Sequence, residues 1–195
     1  MKMLEKIDWK VLDTYIKKDL IIANKHPEYD IWILNYSKTT QFTKAWDLYT
    51  LNCRGLIIDI NGNIVSRCLP KFFNYEEHNP SEINMSQEFE VYEKMDGSYI
   101  SLFIYNNEWI FSSRGSFTSD QAVLAKKVFN LKYLNNVLLH NDRNYIMELI
   151  GCNNIIVIHY PENDLILLTS IITKTGEESN IYDKSFNGFN RLKNM

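Results

Sequence analysis

Between Leu56 and Phe111 one arrangement of residues occurs twice. Leu56-Ile57-Ile58-Asp59-Ile60 is followed by Asn61-Gly62-Asn63 and then Ile64-Val65-Ser66. Tyr99-Ile100-Ser101-Leu102-Phe103-Ile104-Tyr105 is followed by Asn106-Asn107-Glu108 and then Trp109-Ile110-Phe111. β-Branched and aromatic runs favour extended backbone, and Asn-Gly accepts the positive φ of a tight turn cheaply, so each segment predicts a β-hairpin. Helical spacing is confined to two other places. Leu12, Ile16 and Leu20 predict a helix from Asp8 to about Asn24 that stops before His26-Pro27, and Ala122, Leu124, Val128, Leu131 and Leu134 predict one capped by Ser119 and running to about Leu139. Further strands are expected at Phe89–Glu93, Tyr145–Leu149, Ile155–His159 and Leu165–Ile172, and the polar tail from Thr173 reads as a loop or an interrupted element. The order predicts an α+β fold with largely antiparallel sheets, formed by residues 1–195 as one domain.

Composition narrows the setting. A formal net charge of -3 argues against a general electrostatic coat for nucleic acid and leaves room for a local basic groove. The opening Met1-Lys2-Met3-Leu4-Glu5-Lys6 has no apolar core of signal-peptide length, and no run approaches a membrane span. Cys53, Cys68 and Cys152 form neither a close pair nor a metal-ligand spacing. An odd thiol count without a secretory signal predicts a cytoplasmic protein with reduced cysteines and no structural zinc.

The segment with most chemical content is Glu93-Lys94-Met95-Asp96-Gly97-Ser98. A lysine between a strand and an Asp-Gly turn can point into a cleft between sheets, and Gly97 would let backbone approach a bound nucleotide. An amine attacks phosphorus only when unprotonated, a state that neighbouring cations favour. Taken alone, the same residues also fit a surface lysine before a turn, with Asp96 shaping that turn.

Upstream stand Asn35-Tyr36, Trp46, Cys53-Arg54-Gly55 and Lys71-Phe72-Phe73-Asn74; downstream stand Ser113-Arg114-Gly115, Gln121-Ala122, Met147-Glu148-Leu149 and Thr175-Gly176-Glu177. In this order the motifs resemble the phage-type ATP-dependent RNA ligases, most nearly the T-even phage tRNA-repair type, from about Asn35 to about Gly176. The resemblance implies a nucleotidyltransferase domain with sheets flanking a nucleotide cleft. It implies ATP as the nucleotide, Mg²⁺, and RNA 5′-phosphate and 3′-hydroxyl ends as partners, with Lys94 as the catalytic nucleophile that carries AMP. It assigns Arg54 and Lys71 to the ATP phosphates, Phe73 and Gly97 to the nucleotide pocket, Arg114 to ribose or phosphate at a basic position that the T-even phage type fills with lysine, and Glu148 to ribose or hydrated metal. Without it, Arg54 and Lys71 fit surface charges, Phe73 fits the core, and Glu148 fits a strand edge.

Two elements of the family pattern have no match in these 195 residues: a Glu-Gly motif that serves metal binding and a Lys-x-Lys pair that supports the leaving group. Those lysines supply fixed cations to the transferring phosphoryl group. The sequence therefore predicts a C-terminally incomplete ligase domain without an RNA-specificity domain, slow at adenylylation and not ligating by itself. It also admits a split half that needs a second polypeptide, or a non-catalytic nucleotide- or RNA-binding module.

Overall fold

The computed structural model describes residues 3–78, 83–84 and 86–193; the opening Met1-Lys2 lies outside them. Two antiparallel sheets pack face to face, and one helix covers the outer side of each. The first sheet runs β1 (Ile21–Lys25), β2 (Ile31–Tyr36), β3 (Arg54–Asp59), β4 (Ile64–Ser66), in that spatial order. Alternation along these strands sorts the two faces. Ile31, Ile33 and Ile57 turn towards the second sheet and meet Phe103 and Ile110. Leu34, Leu56 and Ile58 turn the other way and bury Leu12 of helix α1 (Trp9–Lys17). Between β2 and β3 lie the short helices α2 (Lys38–Thr43) and α3 (Leu48–Asn52).

The second sheet contains β5 (Ser98–Tyr105), β6 (Glu108–Ser113), β7 (Arg143–Ile150), β8 (Asp164–Ile172), β9 (Glu178–Ser179) and β10 (Asn190–Arg191). Its order is β10-β8-β7-β5-β6, with β9 beside another part of β8, and β10 runs parallel to β8. Ile100 and Leu102 face helix α4 (Asp120–Lys132), where they pack with Val128 and Phe129, whereas Phe103 and Ser101 face the first sheet. Ser101 meets Ser66 of β4 there, Oγ to Oγ at 3.0 Å.

Both predicted hairpins form. Gly62 adopts φ +77°, and Asn106 and Asn107 adopt φ 49° and 64°, the left-handed pair that a two-residue turn between twisted strands requires. The α+β architecture with antiparallel sheets is as expected. Among the described residues no helix is long and apolar enough to cross a membrane.

Four local expectations are corrected. Helix α1 ends at Lys17: Asp19 turns left-handed at φ 54°, and Ile21-Ile22 enter a strand, one buried and the next exposed. Helix α4 starts after its Ser119 cap but stops at Lys132, leaving Leu131, Leu134 and Leu138 exposed, because Tyr133 anchors to the Leu165 carbonyl and the Asp164 carboxylate. Ile155–His159 is an exposed loop, since β7 and β8 already pair with each other and offer this run no free edge. Phe89–Glu93 is likewise irregular, with Phe89 and Val91 exposed. The polar-looking tail is integral to the core, because Ile181, Phe186 and Phe189 are buried in the cluster beneath α4.

Candidate functional site

The two sheets diverge at one end around a cavity of about 950 Å³. Arg54 opens β3 on one wall, directly after α3, whose start is fixed by an Asp47 capping box. Arg114 and Gly115, at the end of β6, are fastened to the first sheet by two asparagines. Asn35 of β2 donates to the Arg114 carbonyl at 2.5 Å, and Asn24 of β1 donates to the Gly115 carbonyl at 2.9 Å. The other amide atom of Asn35, Oδ1, is a buried acceptor with no partner among the described residues. Such an atom on a cavity wall is an acceptor open to a ligand.

Lys94 lies in the irregular run into β5, and its neighbours are held from four directions. The Glu93 amide donates to the Lys193 carbonyl at 3.3 Å, and the Tyr92 ring lies nearly parallel to that of Tyr182 with centroids 6.3 Å apart. The Asp96 carboxylate accepts from the amides of Val157 and Ile158, each at 2.7 Å, while the Asp96 amide donates to the Tyr160 hydroxyl at 3.1 Å. Asp96 thus clasps a distant loop rather than shaping its own turn. The Gly97 amide donates to Oε1 of Glu148 at 3.2 Å. Ser98 bonds to Asn154, whose amide in turn donates to the Leu149 carbonyl. An irregular segment tied down this densely presents its side chain from a fixed backbone.

Glu148 stands on β7 opposite Tyr99. Burial pushes its carboxyl above the usual range, while the Gly97 amide and the charges of Lys94 and Arg54 pull the other way. The Asp96 carboxyl is held below its ordinary value by the two loop amides, with Lys94 contributing. Both carboxylates therefore feel the Lys94 ammonium.

Of the residues singled out from the sequence, Lys94, Arg54, Gly97, Arg114 and Glu148 line this one cavity. Lys71 and Phe73 do not; they are a correction. Lys71 turns its ammonium onto the faces of Phe73 at 4.2 Å and Trp46 at 5.8 Å and bonds to the Phe72 carbonyl. The aromatic side chain on the wall is Phe72, which sits under the Arg54 guanidinium at 4.9 Å. Gly97 also carries a packing constraint. A Cβ there would meet the Leu149 carbonyl oxygen at 2.2 Å, so the position needs glycine to pack against β7. Tyr92, Thr169 and Glu178 also line the cavity and escaped the sequence reading, because no motif marks them. Asn35, Tyr36 and Gln121, present as motif residues without assigned tasks, line it as well.

The arrangement brings the amines of Lys38 and Lys94, the guanidinium groups of Arg54 and Arg114, and the carboxylates of Glu93, Glu148 and Glu178 around a space of nucleotide size. No group of three or more potential protein ligands for a metal occurs among the described residues. A magnesium ion at Glu148 would therefore have to be held mainly by water and ligand phosphates, the usual manner for that ion, and not by a protein cage.

Residues 52–191 match the model of a family described as RNA ligase. A bifunctional polynucleotide kinase/RNA ligase, so named, from Autographa californica nuclear polyhedrosis virus is 30% identical over 139 residues, which are 66% of this chain and 19% of that protein. An archaeal ATP-dependent RNA ligase structure superposes with a TM-score of 0.62 at 15% identity, covering 96% of this chain and 50% of the other, and shares the fold. The chain thus spans about a fifth of the viral relative and half of the archaeal one. With the family model covering most of the sequence, and the fold matching that of a solved ligase, the chain belongs to the RNA ligase family.

Proposed function

We propose that this chain is an ATP-dependent nucleotidyltransferase domain that forms lysyl-AMP on Lys94 on the way to joining RNA ends. The observation that carries the reading is the convergence of Lys94, Arg54, Arg114 and Glu148 on one cavity, although they come from separate segments of the chain. In the first step the neutral amine of Lys94 attacks the α-phosphorus of ATP, its proton having passed to solvent. A nitrogen–phosphorus bond forms, the bond from the α-phosphorus to the bridging oxygen breaks, and pyrophosphate leaves with the electron pair. Arg54 and Arg114 neutralise the phosphates and hold them in line, which is most of what phosphoryl transfer asks of a protein. AMP then passes to an RNA 5′-phosphate, and a 3′-hydroxyl displaces it.

Magnesium, held by Glu148 together with water and ligand phosphates, would supply charge neutralisation at the triphosphate. RNA ends are the partners in this reading, and a second polypeptide supplying a Lys-x-Lys pair would complete it. The setting is a reducing cytoplasm, supported by three free thiols, of which Cys53 and Cys68 are buried.

The test is to incubate the chain with α-labelled ATP and magnesium and look for label on denatured protein. Label that requires Lys94 and vanishes with a chelator is expected. Nucleotide binding without covalent label would point instead to a non-catalytic nucleotide-binding module, and absence of binding would overturn both.

A further inference from the structure

Three cations in or beside the cleft rest on aromatic faces. Arg54 lies over Phe72 at 4.9 Å, Lys71 over Phe73 at 4.2 Å and Arg114 over Tyr36 at 6.0 Å. Among the described residues none of the three is paired with a carboxylate, whereas Lys17, Lys25 and Arg143 elsewhere on the surface pair with Asp13, Asp30 and Asp142. A carboxylate partner would hold a guanidinium in place but neutralise it, and an incoming phosphate would have to compete with that partner. A ring attracts the cation through its quadrupole on one face only. The in-plane N–H groups stay free for a forked contact with phosphate oxygens, at full charge.

Phe72 is the clearest case. It is 64% exposed, so it adds little to the core, yet it lines the cavity and touches Arg54. Its backbone is fixed from the preceding residue: the Lys71 amide donates to the Leu51 carbonyl at 2.8 Å, and the Lys71 ammonium bonds to the Phe72 carbonyl. Leu51 lies in α3, three residues before Arg54 opens its strand, so ring and guanidinium are carried by the same local unit.

We infer that Phe72 is a positioning residue that holds the Arg54 guanidinium at the phosphate end of the cavity without neutralising it. The inference rests on the reading of this cavity as an ATP site. The competing use of an exposed ring at a nucleotide cavity is stacking on the base, and a ligand with phosphates and no base separates the two.

The experiment uses the whole chain with Phe72→Leu and Phe72→Tyr. Binding of inorganic tripolyphosphate is measured by calorimetry, and Lys94 labelling is measured against ATP concentration. For Phe72→Leu, tripolyphosphate affinity should fall, and the ATP needed for half-maximal labelling should rise, each by roughly three- to fivefold. The saturating rate and the melting temperature should stay unchanged, and Phe72→Tyr, which keeps the ring face, should restore both constants. Weaker ATP with unchanged tripolyphosphate would assign the ring to the base and overturn the inference. Unchanged constants in both variants, or an equal loss of melting temperature and saturating rate in both, would overturn it too. If the wild-type chain takes no label, the proposed adenylylation fails, while the tripolyphosphate measurement still decides the role of Phe72.

Discussion

The amide of Gly97 donates to Oε1 of Glu148 across 3.2 Å, tying the backbone behind Lys94 to the half-buried carboxylate of β7. Burial raises the Glu148 carboxyl above its ordinary 4.5, so the folded state disfavours its ionised form. For a group raised in this way, the favourable contribution is present below 4.5 and is lost as pH rises through the folded value. Glu148→Gln keeps an oxygen for the Gly97 amide and removes the charge. Its melting temperature is expected to exceed that of the wild type at pH 7, with the difference disappearing near pH 4. If Glu148 holds magnesium as proposed, Lys94 labelling should fall on the order of a hundredfold, because the substitution removes only that charge. Thermal melts at both pH values, alongside the labelling assay, check the pair of outcomes.

Gly97 itself tolerates no side chain. An alanine Cβ would lie 2.2 Å from the Leu149 carbonyl oxygen and 2.9 Å from its carbon, and backbone cannot swing aside as a flexible side chain would. Gly97→Ala is expected to cost about 1–3 kcal/mol and to displace the Lys94 segment. Gly115 is the control: its Cβ would meet only the Asn35 amide nitrogen at 3.5 Å, an ordinary contact. Gly115→Ala should stay within about 0.5 kcal/mol of the wild type in denaturant unfolding.

Asp96 holds the 157–158 loop by its charge. Two backbone amides depress its carboxyl below 3.8, so the tether is fully present above that value and is released as pH falls through the lower folded value. The tether itself should persist between pH 5 and 8. In Asp96→Ala the amides of Val157 and Ile158 should lose hydrogen-exchange protection at pH 7. Continued protection in that variant would mean that the loop holds itself.

What the sequence disclosed, and what it hid, divides along a physical line. The hairpins at Gly62 and at Asn106-Asn107 are decided by the residues of the turn, so neighbouring letters suffice. Strand β1 was hidden because Leu20 continues the spacing of Leu12 and Ile16, while the left-handed Asp19 that ends the helix leaves no such mark. Ile155–Ile158 has the composition of a strand, but pairing depends on a free edge elsewhere in the chain, and β7 and β8 provide none. The same holds at the site. Lys94, Arg54, Arg114 and Glu148, which line one cavity, stand in motifs that mark them in the sequence. Phe72, for which no task was expected, lines the cavity where Phe73 does not, because both lie outside any strand or helix, where no periodicity says which side chain faces the cavity.

The tail shows the same limit in stability. Its polar composition from Thr173 onward reads as a loop or an interrupted element, and β9 and β10 are short; what the composition hides is that Phe186 is 1% exposed and packs edge-on against Tyr145 of β7, with ring centroids 6.4 Å apart. Removing a buried phenyl leaves a cavity that its neighbours fill only in part, so Phe186→Ala is expected to cost about 3–5 kcal/mol. Val157 lies in a run that reads as more hydrophobic, but it is 82% exposed, and Val157→Ser should change stability by less than about 0.5 kcal/mol. Urea unfolding of the two variants would expose an error in the placement of the tail: if Phe186→Ala unfolds at the wild-type midpoint, the segment after Thr173 is not part of the core that supports the cavity.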